Sequence, residues 1–382
     1  MNIVIKNGTI FDPITNTMRE GDIYIRDGVF AEPKEHYGQA TEQVDASGCI
    51  VTPGLIDAHM HAFPADFPYG ASADVMCPPC GVTTVIDPGS GGIYNMDMCL
   101  NTTELSIVTI KALLEPSMYG VQPAPYGEIQ DPMYVTHERV RELFKKYKSR
   151  IIGFKLRTGG GLSCGFGLSA LDEIKKMQKE LNCEGYLCNT TVHFGPLDDG
   201  ITVGDILSRL EKGDVFTHMF RGDSTIFAPD GSVLPEVVEA RRRGVIFDTA
   251  ASVVNMTLNC AKQGVSQGFL PDIISTDMVR PTQYKRRIGS LIHQASLFLN
   301  MGMELSDVIR AVSYTPARVY GITNEAGTLN IGAPGDLAVI KVTPHELTFS
   351  DAFGGEVHAD KMLVPKLTVK AGHIIYRDAL MY

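Results

Sequence analysis

At 382 residues, 44 % of them apolar and 20 % charged, the chain has ordinary globular composition and room for one large domain with a smaller satellite. Its net charge of −10, with no basic run longer than Arg241-Arg242-Arg243, argues against nucleic acid and anionic membrane as partners; that triplet reads as a solvated helix face. Nowhere does an apolar run reach the roughly 18 residues of a membrane span. The opening MNIVIKNGTIFD lacks a secretory pattern, and eight cysteines in so long a chain form no disulfide framework, so the expectation is a cytoplasmic, soluble protein.

In chain order, the first fifty residues alternate as short strands: NIVIKNGTIFD, DIYIRDGVFAE and the stretch ending ASGCIVT. The same texture returns at the C-terminus in GDLAVIKV and KLTVKAGHIIYRD. One β domain assembled from residues 1–52 and 325–382 is the expectation. Between them, residues 53–324 repeat a short apolar strand, a turn and a helical pattern. The strands are GLIDAHMHAF, VTTVIDPGS, SIVTIKALLE, RIIGFKLRTG, EGYLCNTTVHF, DVFTHMFRG, GVIFDTAAS and DIISTDMV. Helical spacing predicts helices over Glu138–Lys148, Leu171–Leu181 and Gly204–Lys212. Eight strands alternating with helices predict an α/β chain: a (β/α)8 TIM barrel with a smaller β-sandwich domain built from both termini.

In such a barrel the chemistry collects at the C-terminal ends of the strands. The first strand ends in His59-Met60-His61, whose imidazoles share a side of the extended chain and suit a divalent ion of the zinc class. The fourth carries Lys155 in an apolar run; it is either desolvated and driven toward its neutral amine or already leaving the barrel for solvent. His193 and His218 end the fifth and sixth strands, and Asp277 the eighth, where it could equally be a helix N-cap. Each has a plain structural explanation alone. Four of the ten histidines, a lysine and an aspartate on one rim make a convergent metal site the economical reading. Cys77 and Cys80, a C-x-x-C filled by two prolines, read as buried thiols beside a turn.

With IKNGTIFD, VDASGCIVTPGLIDAHMH and SYTPARVYGITNEAGTLNIGAPGDLAVI in view, the chain resembles, over nearly its whole length, the binuclear, carboxylated-lysine branch of the amidohydrolase superfamily. The resemblance implies two divalent metal ions, Zn2+ by preference, held by His59, His61, Lys155, His193, His218 and Asp277. It implies that Lys155 has captured CO2 and bridges the ions as a carbamate. It further implies hydrolysis by a metal-bridged hydroxide, with Asp277 moving the proton. With two M2+ against carbamate, Asp277 and hydroxide, one positive charge is left over, which favours an anionic small-molecule substrate.

THMFRG and QGFLPDIISTDM are similar to the dihydroorotase-like group that includes deacetylases. The expected reaction is hydrolysis of an amide, cyclic amide or ester, with deacetylation of an acylated amino or hydroxy acid as the specific form. Dihydroorotases usually place an arginine two residues after H-x-H, where this chain has Phe63, so the bidentate carboxylate grip is missing. The seventh strand's FDTAASVVNM also departs from the His/Gly/Ser-rich turn of deacetylase-like relatives. Arg157, Arg221 and Arg280, each two or three residues beyond a proposed ligand, are candidates to hold a substrate carboxylate. The competing classes are a cyclic amidase of the dihydroorotase or hydantoinase type, a deaminase, and a barrel that has lost catalysis and serves as a scaffold. Lys155 argues against the deaminase, and six filled ligand positions argue against the scaffold. Relatives commonly self-associate, so a homo-oligomer is expected.

Overall fold

Alternating apolar residues near the N-terminus form β1 (Ile3–Asp12), β2 (Thr17–Arg26), β3 (Val29–Ala31), β4 (Glu42–Asp45) and β5 (Ile50–Pro53). The computed structural model describes residues 2–33, 42–64, 69–122, 128, 135–159, 167–198, 200–223, 225–284 and 289–381. The barrel follows with β6 (Leu55–Asp57), β7 (Val82–Pro88), β8 (Thr109–Leu114), β9 (Ile151–Thr158), β10 (Asn189–Phe194), β11 (Val215–Thr217) and β12 (Ile246–Asp248). The chain then returns to the first sheet with β13 (Leu337–Ser350), β14 (Glu356–Lys370) and β15 (His373–Arg377).

The terminal strands form one sheet in the order β15-β14-β13-β5-β1-β2-β3, with β4 also on β1. The join is made by β5, parallel to β1 and antiparallel to β13, so both ends of the chain meet in it. Ile3, Ile5, Ile25, Phe30, Val51, Leu337, Val339 and Leu367 pack as one core within this sheet. The long β13–β14 hairpin also reaches over the barrel, where Phe349, Val357, Ala359 and Leu363 join the barrel's own core. There Leu363 N donates to Ser296 Oγ at 3.0 Å, and Leu258 N to Asp351 Oδ2 at 2.7 Å.

Strands β6 to β12 pair in parallel, in sequence order. Residues 273–278 occupy the eighth place, bridging Asp248 to Ile273 on one side and Met60 to Met278 on the other. Asp277 N donates to His59 O at 2.7 Å, and His61 N to Met278 O at 3.0 Å, so the rim is stitched shut beside the first histidines. Seven of the eight expected strands form at their expected places, and the eighth segment takes its place through isolated bridges without becoming a strand.

Period-two alternation puts residues two apart on one face. On several barrel strands that face is apolar low down and polar at the top: Leu113 then Glu115, Val215 then Thr217, Ile246 then Asp248, Ile273 then Ser275. Ile56, Ile86, Leu113, Val215, Ile246 and Ile273 pack together with Ala317, Val319, Tyr320 and Ile322. The barrel is therefore filled from below, and the polar groups are left at one mouth.

Two expected helices appear as His137–Lys146 and Gly167–Cys183. The third stops early, at Val203–Leu207, where Arg209 N and Leu210 N bond back only three residues, to Ile206 O and Leu207 O, and Asp214 then accepts from Glu211 N at 2.8 Å. The arginine triplet is divided rather than uniformly solvated. Arg242 is exposed and paired with Glu239, whereas the Arg241 guanidinium stacks 3.6 Å from the Phe269 ring centroid and donates to Leu270 O at 2.7 Å. Apolar neighbours that periodicity cannot reveal draw it inward. Cys77 and Cys80 are buried free thiols ahead of the Gly81 turn, and burial pushes the Cys80 thiol up to about 11. Among the described residues no helix is long and apolar enough to cross a membrane.

Candidate metal centre

His59, Lys155, His218 and Asp277 gather at the mouth of the barrel; each is less than a tenth exposed. One ligand atom from each of His59, His218 and Asp277 lies within 4.8 Å of the others. His61 joins them, its Nε2 3.6 Å from Asp277 Oδ1, as far as His59 Nε2 lies from the same oxygen. Lys155 Nζ is 3.3 Å from His59 Nε2, and the His193 ring stands edge-on to His218 with centroids 4.2 Å apart. Of the two readings open for Lys155, the structure has the buried one. The six residues expected at the site thus lie on one rim.

The hydrogen bonds behind the rings decide what they present to the centre. Ser90 Oγ gives its one proton to Asp87 Oδ2 at 2.9 Å, so at 2.8 Å from His61 Nδ1 it accepts. Thr217 Oγ1 likewise donates to Asp248 Oδ2 at 2.8 Å and accepts from His59 Nδ1 at 3.2 Å. His218 Nδ1 donates to Ala250 O at 2.9 Å. All three rings therefore carry their proton on Nδ1 and turn an Nε2 lone pair inward. His218 Nε2 is buried with no hydrogen-bond partner among the described residues. Three nitrogen lone pairs and a carboxylate oxygen face one another, with the Lys155 amine beside His59 Nε2, and a divalent cation would satisfy this excess of acceptors. Imidazole and carboxylate together suit zinc, manganese or iron.

Burial sets the charges. It pushes His59, His193 and His218 well below the ordinary imidazole range, leaving them neutral as ligands must be. It also pushes the Lys155 amine down to about 8, against the pull of Asp277, Glu115 and Asp248. Burial raises the Asp248 carboxyl, and hydrogen bonds from Ser275 and Thr217 restrain the rise. The backbone is bent to serve the site: His218 and Asp277 have φ of 67° and 50°, and Ala250 and Ser252, in the turn after β12, have 37° and 34°. Left-handed non-glycine residues clustered at one place are the mark of a site held against local preference.

A cavity of about 300 Å³ opens on the centre, lined by His61, Tyr69, Val121, Lys155, Arg157, Arg221, Asn255 and Asp277, among others. Arg157 binds buried Glu128 through Nε at 2.9 Å and also through Nη2. Arg221 binds Asp223 and Asn255. Arg280 does not line this cavity; it donates to Gly70 O at 2.8 Å and Pro64 O at 3.1 Å. Phe63 is fully buried.

Sequence reasoning passed over Asp87, Ser90, Thr217, Asp248 and Asn255, the residues that hold the rim side chains from behind. Asp87 and Asp248 could have been found, since each closes a strand in the same manner as Asp277. Asn255 could not, because it reaches Asp277 from an irregular segment.

A profile described as the amidohydrolase family matches residues 50–361. A deacetylase of Enterococcus faecalis is 26 % identical over 340 residues, covering 88 % of this chain and 90 % of that protein. The crystal structure of an adenine deaminase superposes with a TM-score of 0.88 at 24 % identity, covering 98 % of this chain and 99 % of that one. That of a dihydroorotase superposes with a TM-score of 0.87 at 23 % identity, covering 99 % and 98 %.

Proposed function

The chain belongs to the amidohydrolase family, and we propose that it is a metal-dependent hydrolase of an amide or related acyl bond in a small anionic molecule, its specific reaction the deacylation of an acylated amino or hydroxy acid. The observation that supports this most is the convergence of three inward Nε2 lone pairs on Asp277, each ring fixed from behind by a named partner.

In this reading His59, His61 and Asp277 hold one divalent ion and His193 and His218 a second, zinc being the first choice. Bound there, the ions supply Lewis acidity and a water acidic enough to ionise near neutral pH. Lys155, as a carbamate, would help to hold both ions. Its buried amine, pushed down to about 8, keeps a neutral fraction at physiological pH. Addition of CO2 forms one N–C bond, releases one proton and leaves an anionic oxygen ligand. Asp277 takes the proton of the attacking water at Oδ2, the oxygen turned away from His59 and His61, and returns it to the leaving nitrogen or oxygen. Arg157, on the cavity wall, would meet the substrate's carboxylate through Nη1, its Nε and Nη2 being bound to Glu128 and Gln122. The size of the cavity supports a small molecule over a polymer. The seven described cysteines are all free, which supports an enzyme of the reducing cytoplasm.

Elemental analysis of the purified protein and of Lys155→Ala tests the assignment. We expect about two metal ions per chain in the parent, and reduced content with abolished turnover in the variant. Unchanged metal and unchanged hydrolysis in Lys155→Ala would overturn it. A panel of N-acetyl and O-acetyl amino and hydroxy acids, cyclic amides, dipeptides and adenine tests the chemistry. Release of ammonia from adenine alone would favour deamination, and silence across the panel would reject the acyl-bond reading.

A further inference from the structure

The turn after β12 is where this chain departs from its deacetylase-like resemblance, and it touches the rim twice. Ala250 O accepts from His218 Nδ1 at 2.9 Å, and Asn255 Nδ2 donates to Asp277 Oδ2 at 3.0 Å. Asn255 is 7 % exposed and its Oδ1 accepts from Arg221 Nη1. A guanidinium can only donate, so the amide cannot be flipped: its oxygen must face Arg221 and its N–H must face Asp277. Arg221, 5 % exposed, is itself clamped by Asp223, through Nε to Oδ1 at 2.8 Å and Nη2 to Oδ2 at 2.6 Å. Its strongest directional bonds are thus spent within the protein.

An aspartate's terminal torsion is broad and nearly two-fold, so its backbone alone does not select which oxygen points where. We infer that Asn255, oriented by Arg221, is a positioning residue for Asp277: it holds Oδ2 and leaves Oδ1 as the oxygen presented to His59 and His61. This deepens the proposed function and rests on it. The two carboxylate oxygens acquire different tasks, Oδ1 lying toward His59 and His61 and Oδ2 being held by Asn255. Arg221 accordingly acts through Asn255 and not as a grip on substrate.

The test uses the full-length, metal-loaded protein and reads two quantities: metal retention against a competing chelator, and kcat separately from KM on whichever panel compound is turned over. Asn255→Ala should weaken retention by about 10- to 100-fold and lower kcat at near-constant KM. Asn255→Asp, nearly the same shape, should be worse, because it sets one carboxylate against another. Arg221→Lys should give a smaller loss of the same kind, since an ammonium lacks the planar fork. Adding Arg221→Ala to Asn255→Ala should cost little more than Asn255→Ala alone. Retention within about threefold of the parent in either Asn255 variant, with native circular dichroism, overturns the inference. So does an Arg221→Lys enzyme with raised KM and unchanged kcat, which would make Arg221 a substrate contact. Metal retention needs no substrate, so a failed panel leaves this test standing; a parent that holds no metal sinks the functional reading and this inference with it.

Discussion

Asp248→Asn separates the role of an orienting carboxylate from its cost to the fold. Asp248 accepts from Thr217 Oγ1 at 2.8 Å and Ser275 Oγ at 2.6 Å, and lies 3.4 Å from His59 Nδ1. Asparagine keeps the volume, so no cavity forms. If the amide oxygen replaces Oδ2, His59 loses the negative charge behind it and becomes a poorer electron donor. If the amide nitrogen does, Thr217 must accept from it and donate to His59 Nδ1, which moves the ring proton to Nε2 and closes the lone pair. Either way metal affinity should fall about 10- to 100-fold, or ~1.4–2.7 kcal/mol. Stability should move the other way. Burial raises the Asp248 carboxyl, so the ionised form burdens the fold at neutral pH: stability is whole below the unfolded pKa and declines as pH rises through the folded one. The uncharged amide removes that burden, and the metal-free variant should melt at or above the parent's temperature. Chelator competition gives the affinity, and scanning calorimetry of the metal-free proteins gives the melting point. Unchanged affinity would refute the orienting role. A metal-free variant melting far lower would show that Asp248 acts through the fold instead.

Gly92→Ala should disturb the loop that carries Ser90. A Cβ there would lie 2.2 Å from Gly120 N and 2.6 Å from Ser117 O, backbone atoms that cannot step aside. The expected loss is about 1–3 kcal/mol by denaturant unfolding together with weaker metal retention, and a wild-type midpoint would contradict it. Thr202→Ala should remove about 1 kcal/mol, because Thr202 caps helix Val203–Leu207 reciprocally with Asp205. Thr202→Ser should restore most of that in the same unfolding assay, and a Ser variant as unstable as Ala would refute the cap.

Much of this molecule could be read along the chain because its signals are local. Each barrel strand announces itself by a short apolar run, and each rim residue by a polar side chain at the end of one, as His59, His193 and Asp277 do. Period-two geometry then places them, since a strand-end side chain on the inward face has nowhere to go but the mouth. Lys155 was ambiguous in sequence because one strand cannot say what lies across the barrel; burial by residues far away made it a desolvated amine near 8. The same holds for Arg241, whose aromatic neighbours lie in other segments. Which nitrogen of each imidazole faces the centre was settled only by folding, through Ser90, Thr217 and Ala250, contacts that span 29, 158 and 32 residues of chain. Asn255 belongs to that group as well, reaching Asp277 across 22 residues from a turn with no periodicity to read. Residue type and strand period are properties of neighbours in sequence, whereas tautomer, burial and the orientation of a carboxylate are properties of neighbours in space.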